Sequence, residues 1–195
     1  MSVNRQAARS ASTRAKLVRA ARTLFARHGY AAVGTEQIVR RAGVTRGALY
    51  HHFASKTEVA AGVVEQLEGE LVERVVGAAS GGTGVRDQLH RGCRAYMDAC
   101  ADPTMARILA DAPAVLGLEA CRALDAVACA PLLAEVFARA TAEGVAVPGD
   151  PEVAAALLLG FLNEAAALVA AAPEDRVLQV RVGDTVDAFI ARLFG

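Results

Sequence analysis

Residues 35–56 read TEQIVRRAGVTRGALYHHFASK, and this stretch decides the fold. Thr35 can cap a short helix through Arg41, with Ile38 and Val39 facing inward. Thr45 can cap a second short helix, residues 46–52. Ala42-Gly43-Val44-Thr45 joins the two. Gly43 allows a tight turn, and Ala42 lets the helices approach closely. Ile38, Val44 and Leu49 supply the apolar contact between them. Two capped short helices joined so tightly form a helix-turn-helix. Such a motif puts the first residues of its second helix at base edges in a major groove. The residues left facing outward suit that placement. Arg46 can make a bidentate contact to guanine. Gly47 leaves room for close approach, and Thr45, Tyr50, His51 and Lys56 offer donors to phosphate.

Outward from this core the spacing of apolar residues stays helical, with no convincing strand alternation, so the chain reads as all-α. Upstream, a helix is expected over about residues 13–27. Ser12 or Thr13 would cap it, and Gly29 would stop it. Leu17, Ala21, Leu24, Phe25 and His28 form its stripe. Downstream, Ser55-Lys56-Thr57-Glu58 reads as a capping box that opens a long helix. That helix carries Val59, Val63, Val64, Leu67, Leu71 and Val75. Residues 77–84 hold four glycines and read as a flexible loop. Further helices are expected at 85–101, 103–110, 115–128, 131–143, 151–172 and 175–193. Asp102-Pro103 and Asp150-Pro151 are each suited to start one.

The chain has 195 residues and 54% hydrophobic composition, too apolar for disorder and suited to one domain or two small ones. Residues 1–12 hold no apolar run of the signal-peptide kind, so a cytoplasmic protein is expected. The apolar stretch 153–172 tests a membrane span. Asn163 and Glu164 sit in its middle, and an acid at a bilayer centre costs roughly 2.5–3.5 kcal/mol. A helix buried in protein fits better. Cys93, Cys100, Cys121 and Cys129 form no CxxC pair and read as small reduced core residues. His51 and His52 have no third ligand nearby, so no metal is expected. No cofactor motif is present.

With Thr13-Arg14, Leu24-Phe25-Ala26-Arg27-His28-Gly29-Tyr30, Arg41-Ala42-Gly43-Val44 and Gly47-Ala48-Leu49-Tyr50-His51-His52-Phe53 followed by Ser55-Lys56, the chain closely resembles the TetR family of bacterial transcriptional regulators. Thr35 with Ile38 fits the same pattern. Val39 departs from it, standing where such motifs usually carry Ala. The resemblance covers the first 60 or so residues. It implies a helix-turn-helix DNA-binding domain at 1–56 and a helical domain for ligand binding and dimerisation at 57–195. Thr35 and Thr45 would bond phosphate, and Arg46 and Gly47 would face bases. Tyr50, His51 and Lys56 would hold the DNA backbone, with Arg5, Arg9 and Arg14 as a basic arm.

The resemblance also implies a homodimer paired through helices near 131–143 and 151–172, acting on a palindromic double-stranded operator. A small effector would release this repressor. Its cavity would lie between the long fourth helix and the helices at 85–128. Tyr96, Met97, Cys100, Met105, Leu109 and Leu116 are candidates to line it, bordered by Phe137, Phe161 and Asn163. Few charges stand there, so a mainly apolar ligand is expected. Two other classes of function stand beside this one. A small helical enzyme lacks support, since no GxSxG, HExxH, Walker or GxGxxG motif occurs. An architectural DNA binder should be basic throughout. This chain carries 21 basic and 21 acidic residues, yet residues 1–56 hold 11 basic and one acidic side chain. The basic head suits phosphate, and the acidic remainder would orient the approach.

Overall fold

The computed structural model describes residues 2–172 and 174–193, with side chains from residue 6 onward. Among these residues the chain is helical, with no strand. In order come α1 (Ser2–His28), α2 (Thr35–Ala42), α3 (Arg46–His52), α4 (Lys56–Ala79) and α5 (Val85–Cys100). Then follow α6 (Pro103–Leu116), α7 (Leu118–Ala128), α8 (Ala130–Ala142), α9 (Pro151–Ala171) and α10 (Arg176–Arg192).

Local chemistry sets the head. Gly43 takes φ 65°, the left-handed turn that other residues rarely adopt, and closes α2. The Thr45 hydroxyl accepts the Ala48 amide at 3.2 Å and starts α3. Leu17, Ala21, Phe25, Val33, Ile38, Leu49 and Phe53 bury together at the junction of α1, α2 and α3. Ser55 accepts the Glu58 amide at 3.1 Å and so caps α4. Glu58 reaches back at 2.8 Å to the Ala54 amide, one residue before the expected partner. Val59 and Val63 then bury in the same core, and Leu67 and Leu71 carry α4 on into the body. There α4 packs on α5, α6 and α7, while α9 lies against α5, α6, α8 and α10.

Several boundaries differ from expectation for identifiable reasons. α1 starts at Ser2, not near residue 13, because residues 2–12 contain no Gly or Pro to stop it. Thr13 is therefore interior, donating to the Arg9 carbonyl at 3.0 Å rather than capping. Thr35 does not cap α2 either. Gly34 holds the cap position, and its amide is satisfied by the Gln37 side chain at 2.7 Å. α4 runs through Gly77 to Ala79. α6 continues past residue 110 to Leu116, carrying Pro113 in its last turn, and the break before α7 falls at Gly117.

α9 is long and apolar enough to cross a membrane by length and composition alone. In this fold Ala155, Leu158, Leu162 and Val169 of α9 are buried among neighbouring helices. Its other face carries Val153, Leu157 and Leu168, all largely exposed. On α10, Val177, Val180 and Phe189 are exposed as well. Leu132, Leu133 and Val136 of α8 are half-buried, with α9 packed against that helix. Exposed apolar side chains thus stand on α9, which belongs to the pair expected at 131–143 and 151–172, and on α10, with others at Val76 of α4 and Leu118 and Val127 of α7.

Candidate functional site

The outward face of α3 presents Thr45, Arg46, Gly47, Tyr50 and His51, all exposed. Nothing but the Thr45 hydroxyl stands within 4.0 Å of where a Cβ on Gly47 would point, so this face is open. The Arg46 guanidinium lies 5.6 Å from the Tyr50 ring centroid and 3.8 Å from a Glu36 carboxylate oxygen. An exposed pair of this kind is worth about 0–1 kcal/mol, so it holds Arg46 only loosely. Hydrogen bonds from Arg46 and then Thr35 hold the Tyr50 hydroxyl below its ordinary pKa. Thr35, half-buried at the start of α2, therefore belongs to the same cluster. Burial, then the charges of His51 and Arg14, lowers the pKa of His52.

Two residues expected on the DNA, Lys56 as a phosphate donor and Arg14 in the basic arm, are already engaged. Lys56 donates to the carbonyls of Tyr30 and Val33, each at 3.0 Å, and sits 3.9 Å from the Tyr30 ring centroid. It ties the start of α4 to the loop after α1, leaving one ammonium hydrogen for another acceptor. Arg14 pairs with Glu65 of α4 at 3.0 Å and lies over the Phe53 ring at 5.1 Å. Arg9 is exposed on α1. Arg5 lies outside the described side chains.

Below the head, a cavity of about 710 Å³ opens between α4, α5, α6, α7 and α9. Tyr96, Cys100, Leu109 and Asn163 line it, as the sequence suggested. The other five candidates do not. Met105 and Phe137 are sealed in the core. Met97 lies outside the cavity wall, one residue and so about 100° of helix turn from Tyr96. Leu116 faces a small crevice beside Phe25 and Tyr30. Phe161 turns away to stack on Phe189 at 4.3 Å.

The sequence reading missed the acidic side of this cavity. Glu68 and Asp125 both line it. Tyr96 donates to Asn163 Oδ1, and Asn163 Nδ2 donates at 2.7 Å to Asp125. The Cys129 thiol donates to Glu68 at 3.6 Å. Glu68 is only 7% exposed, and burial followed by the Asp125 charge pushes its pKa up to about 7. Burial also raises Asp125, against the hydrogen bond from Asn163. Burial pushes the Cys93 and Cys100 thiols up to about 12, so neither is a ready nucleophile at neutral pH. The expectation of a cavity with few charges is thus corrected. Glu68 stands in the stripe Val64, Glu68, Leu71, and an acid there was the available signal.

α6 connects this cavity to the head. Ala106, Leu109 and Ala112 line the cavity. On the same helix, the Asp111 carboxylate accepts the Tyr30 backbone amide at 3.2 Å. α6 therefore touches both the cavity and the loop that Lys56 holds.

A small helix-turn-helix head on a helical body with a cavity open to solvent defines the class: an all-α regulator with two linked regions. Residues 17–63 match the family model of bacterial regulatory proteins of the tetR family, and residues 86–193 match the tetracyclin repressor-like C-terminal domain. The chain belongs to the TetR family of bacterial transcriptional regulators. A TetR-family transcriptional regulator from Pectobacterium atrosepticum superposes with a TM-score of 0.83 at 30% identity, covering 96% of each chain. The HTH-type transcriptional activator FasR of Mycolicibacterium smegmatis is 36% identical over 85 residues, 44% of this chain and 39% of that protein. The A-factor receptor protein of Streptomyces griseus is 42% identical over 59 residues, 30% of this chain and 21% of that protein. The match thus spans well under half the length of these curated relatives. Both are named as a regulator or receptor, and neither as an enzyme.

Proposed function

We propose that the chain is a cytoplasmic, homodimeric, sequence-specific DNA-binding repressor, released from a palindromic operator when a small molecule fills the larger cavity. The observation that carries this reading is α6, which lines the cavity with Leu109 and bonds the head through Asp111. Residues 1–56 form the DNA-binding part and residues 57–195 the sensing and pairing part. Arg46 and Gly47 of α3 face base edges. Thr35, Thr45, Tyr50 and His51 meet phosphate, and Lys56 and Arg14 chiefly set the geometry of the head. The exposed stripes of α9 and α10 pair with those of a second copy. Two α3 helices then reach successive major-groove faces roughly 34–36 Å apart. A ligand that fits better when α6 and α4 are displaced shifts the population toward a spacing that no longer matches both half-sites.

Selection of bound duplexes from a random-sequence pool, using the full chain, tests the reading. A palindrome with half-sites about one helical turn apart is the expected product. Recovery of sequences with no common half-site would contradict it.

A further inference from the structure

Resting on the reading of the larger cavity as the effector site, we propose that it takes a ligand with an apolar body and a cationic group, seated against Glu68 and Asp125. Most of the wall is apolar, with Val64, Leu109 and Leu159 among its members. The acids are what stand out. Glu68 is more than nine-tenths buried, and a weak thiol hydrogen bond from Cys129 is its one partner among the described residues. A buried carboxylate with so little compensation is costly unless something pairs with it. No Lys or Arg among the described residues forms an ion pair with Glu68 or Asp125. Arg122 lines the same cavity, but it is exposed and pairs with neither acid.

Asp125 is oriented for reception. The chain from Tyr96 through Asn163 holds one of its oxygens, which leaves the other as an acceptor. The groups facing Glu68 are Asp125 and Cys121 from α7, Tyr96 and Cys100 from α5, Asn163 from α9 and Cys129 between α7 and α8. None of them is cationic. A protonated amine entering here supplies the missing charge. Where Glu68 is protonated beforehand, its proton leaves to solvent as the ammonium pairs with the carboxylate. Affinity for the amine therefore rises with pH between about 6 and 8, while the amine itself stays charged.

The test is titration calorimetry of the full chain with three probes sharing one skeleton: 4-phenylbutylamine, 4-phenylbutan-1-ol and 4-phenylbutanoate. The amine should bind at least about tenfold more tightly than the alcohol, and the carboxylate most weakly. Glu68→Gln and Asp125→Asn should each erase most of that preference for the amine over the alcohol. A melting curve for each variant confirms that it is folded. Amine binding no tighter than alcohol binding, absence of amine binding, or a preference untouched in both variants overturns the proposal. Operator affinity is read separately, with and without each probe, so the two readings fail separately. Amine preference without any loss of operator binding leaves the cationic site standing and contradicts ligand-driven release. Preferred binding of the alcohol or carboxylate, with release of the operator, overturns the cationic site and leaves ligand-driven release standing.

Discussion

Arg46 and Glu68 show how differently two charged residues can be read. Arg46 is exposed, loosely paired to Glu36 and one position into a capped helix, so its motif alone marked it. Arg46→Ala should lower discrimination at one base-pair position by about 1–3 kcal/mol and leave the rest of the selected sequence intact. Competition binding with single-base operator variants measures this, and an unchanged preference would remove Arg46 from base reading. Glu68 gave no motif, because its meaning lies in the Asp125 and Cys129 brought to it by folding. Its folded pKa of about 7 stands above the ordinary 4.5. As pH rises above 4.5, the unfolded chain ionises freely while folded Glu68 keeps its proton. Stability therefore falls across the window from 4.5 to 7 and levels off above it. The loss is about 3 kcal/mol at most. Glu68→Gln should melt higher than the wild type at pH 8 and nearly alongside it at pH 4.5. Parallel curves for the two proteins across that window would show that the burial of Glu68 carries no such penalty.

Helices were legible where capping and periodicity agreed, and less so where they did not. The turn at Gly43, the cap at Thr45 and the start of α4 were readable from single residues. α1 was read about ten residues short, since no stop signal marks a start and Ser12-Thr13 looked like a cap. The helix expected at 103–110 runs on to Leu116, carrying Pro113 within its last turn. Gly62 illustrates packing that no periodicity reveals. α4 crosses the head there so closely that a Cβ would lie 3.2 Å from Phe53 and 3.3 Å from Arg14. Gly62→Val should therefore destabilise the chain by about 1–3 kcal/mol through overpacking, despite the better helix propensity of Val. A urea titration reads it, and a midpoint equal to or above that of the wild type would mean that head and α4 have slack.

For the whole molecule, the sequence showed the division of charge, the all-α class and an apolar helix at 151–172 expected to pair, but not the contribution of α10. α8 and α9 pack on each other inside one chain, yet α9 keeps Val153, Leu157 and Leu168 exposed. Only the folded arrangement shows that α10 adds Val177, Val180 and Phe189 to the exposed apolar surface. Leu157, 70% exposed, sits in the α9 stripe. Leu157→Glu should turn a dimer into a monomer in sedimentation and weaken operator binding by about a hundredfold or more, because each head then binds alone. A variant that stays dimeric would move the interface elsewhere.

The central claim is that what fills the cavity sets the grip of the head on DNA. Ala106 of α6 is buried against that cavity, on the helix that also holds Tyr30 through Asp111. Ala106→Phe directs a ring toward the space an effector would take. The direct measurement is the dissociation constant of this variant for the selected operator duplex, beside that of the wild type. Weakening of at least about tenfold is expected, with the dimer and the helical content retained. An operator affinity equal to the wild type in a folded, cavity-filled dimer would contradict it.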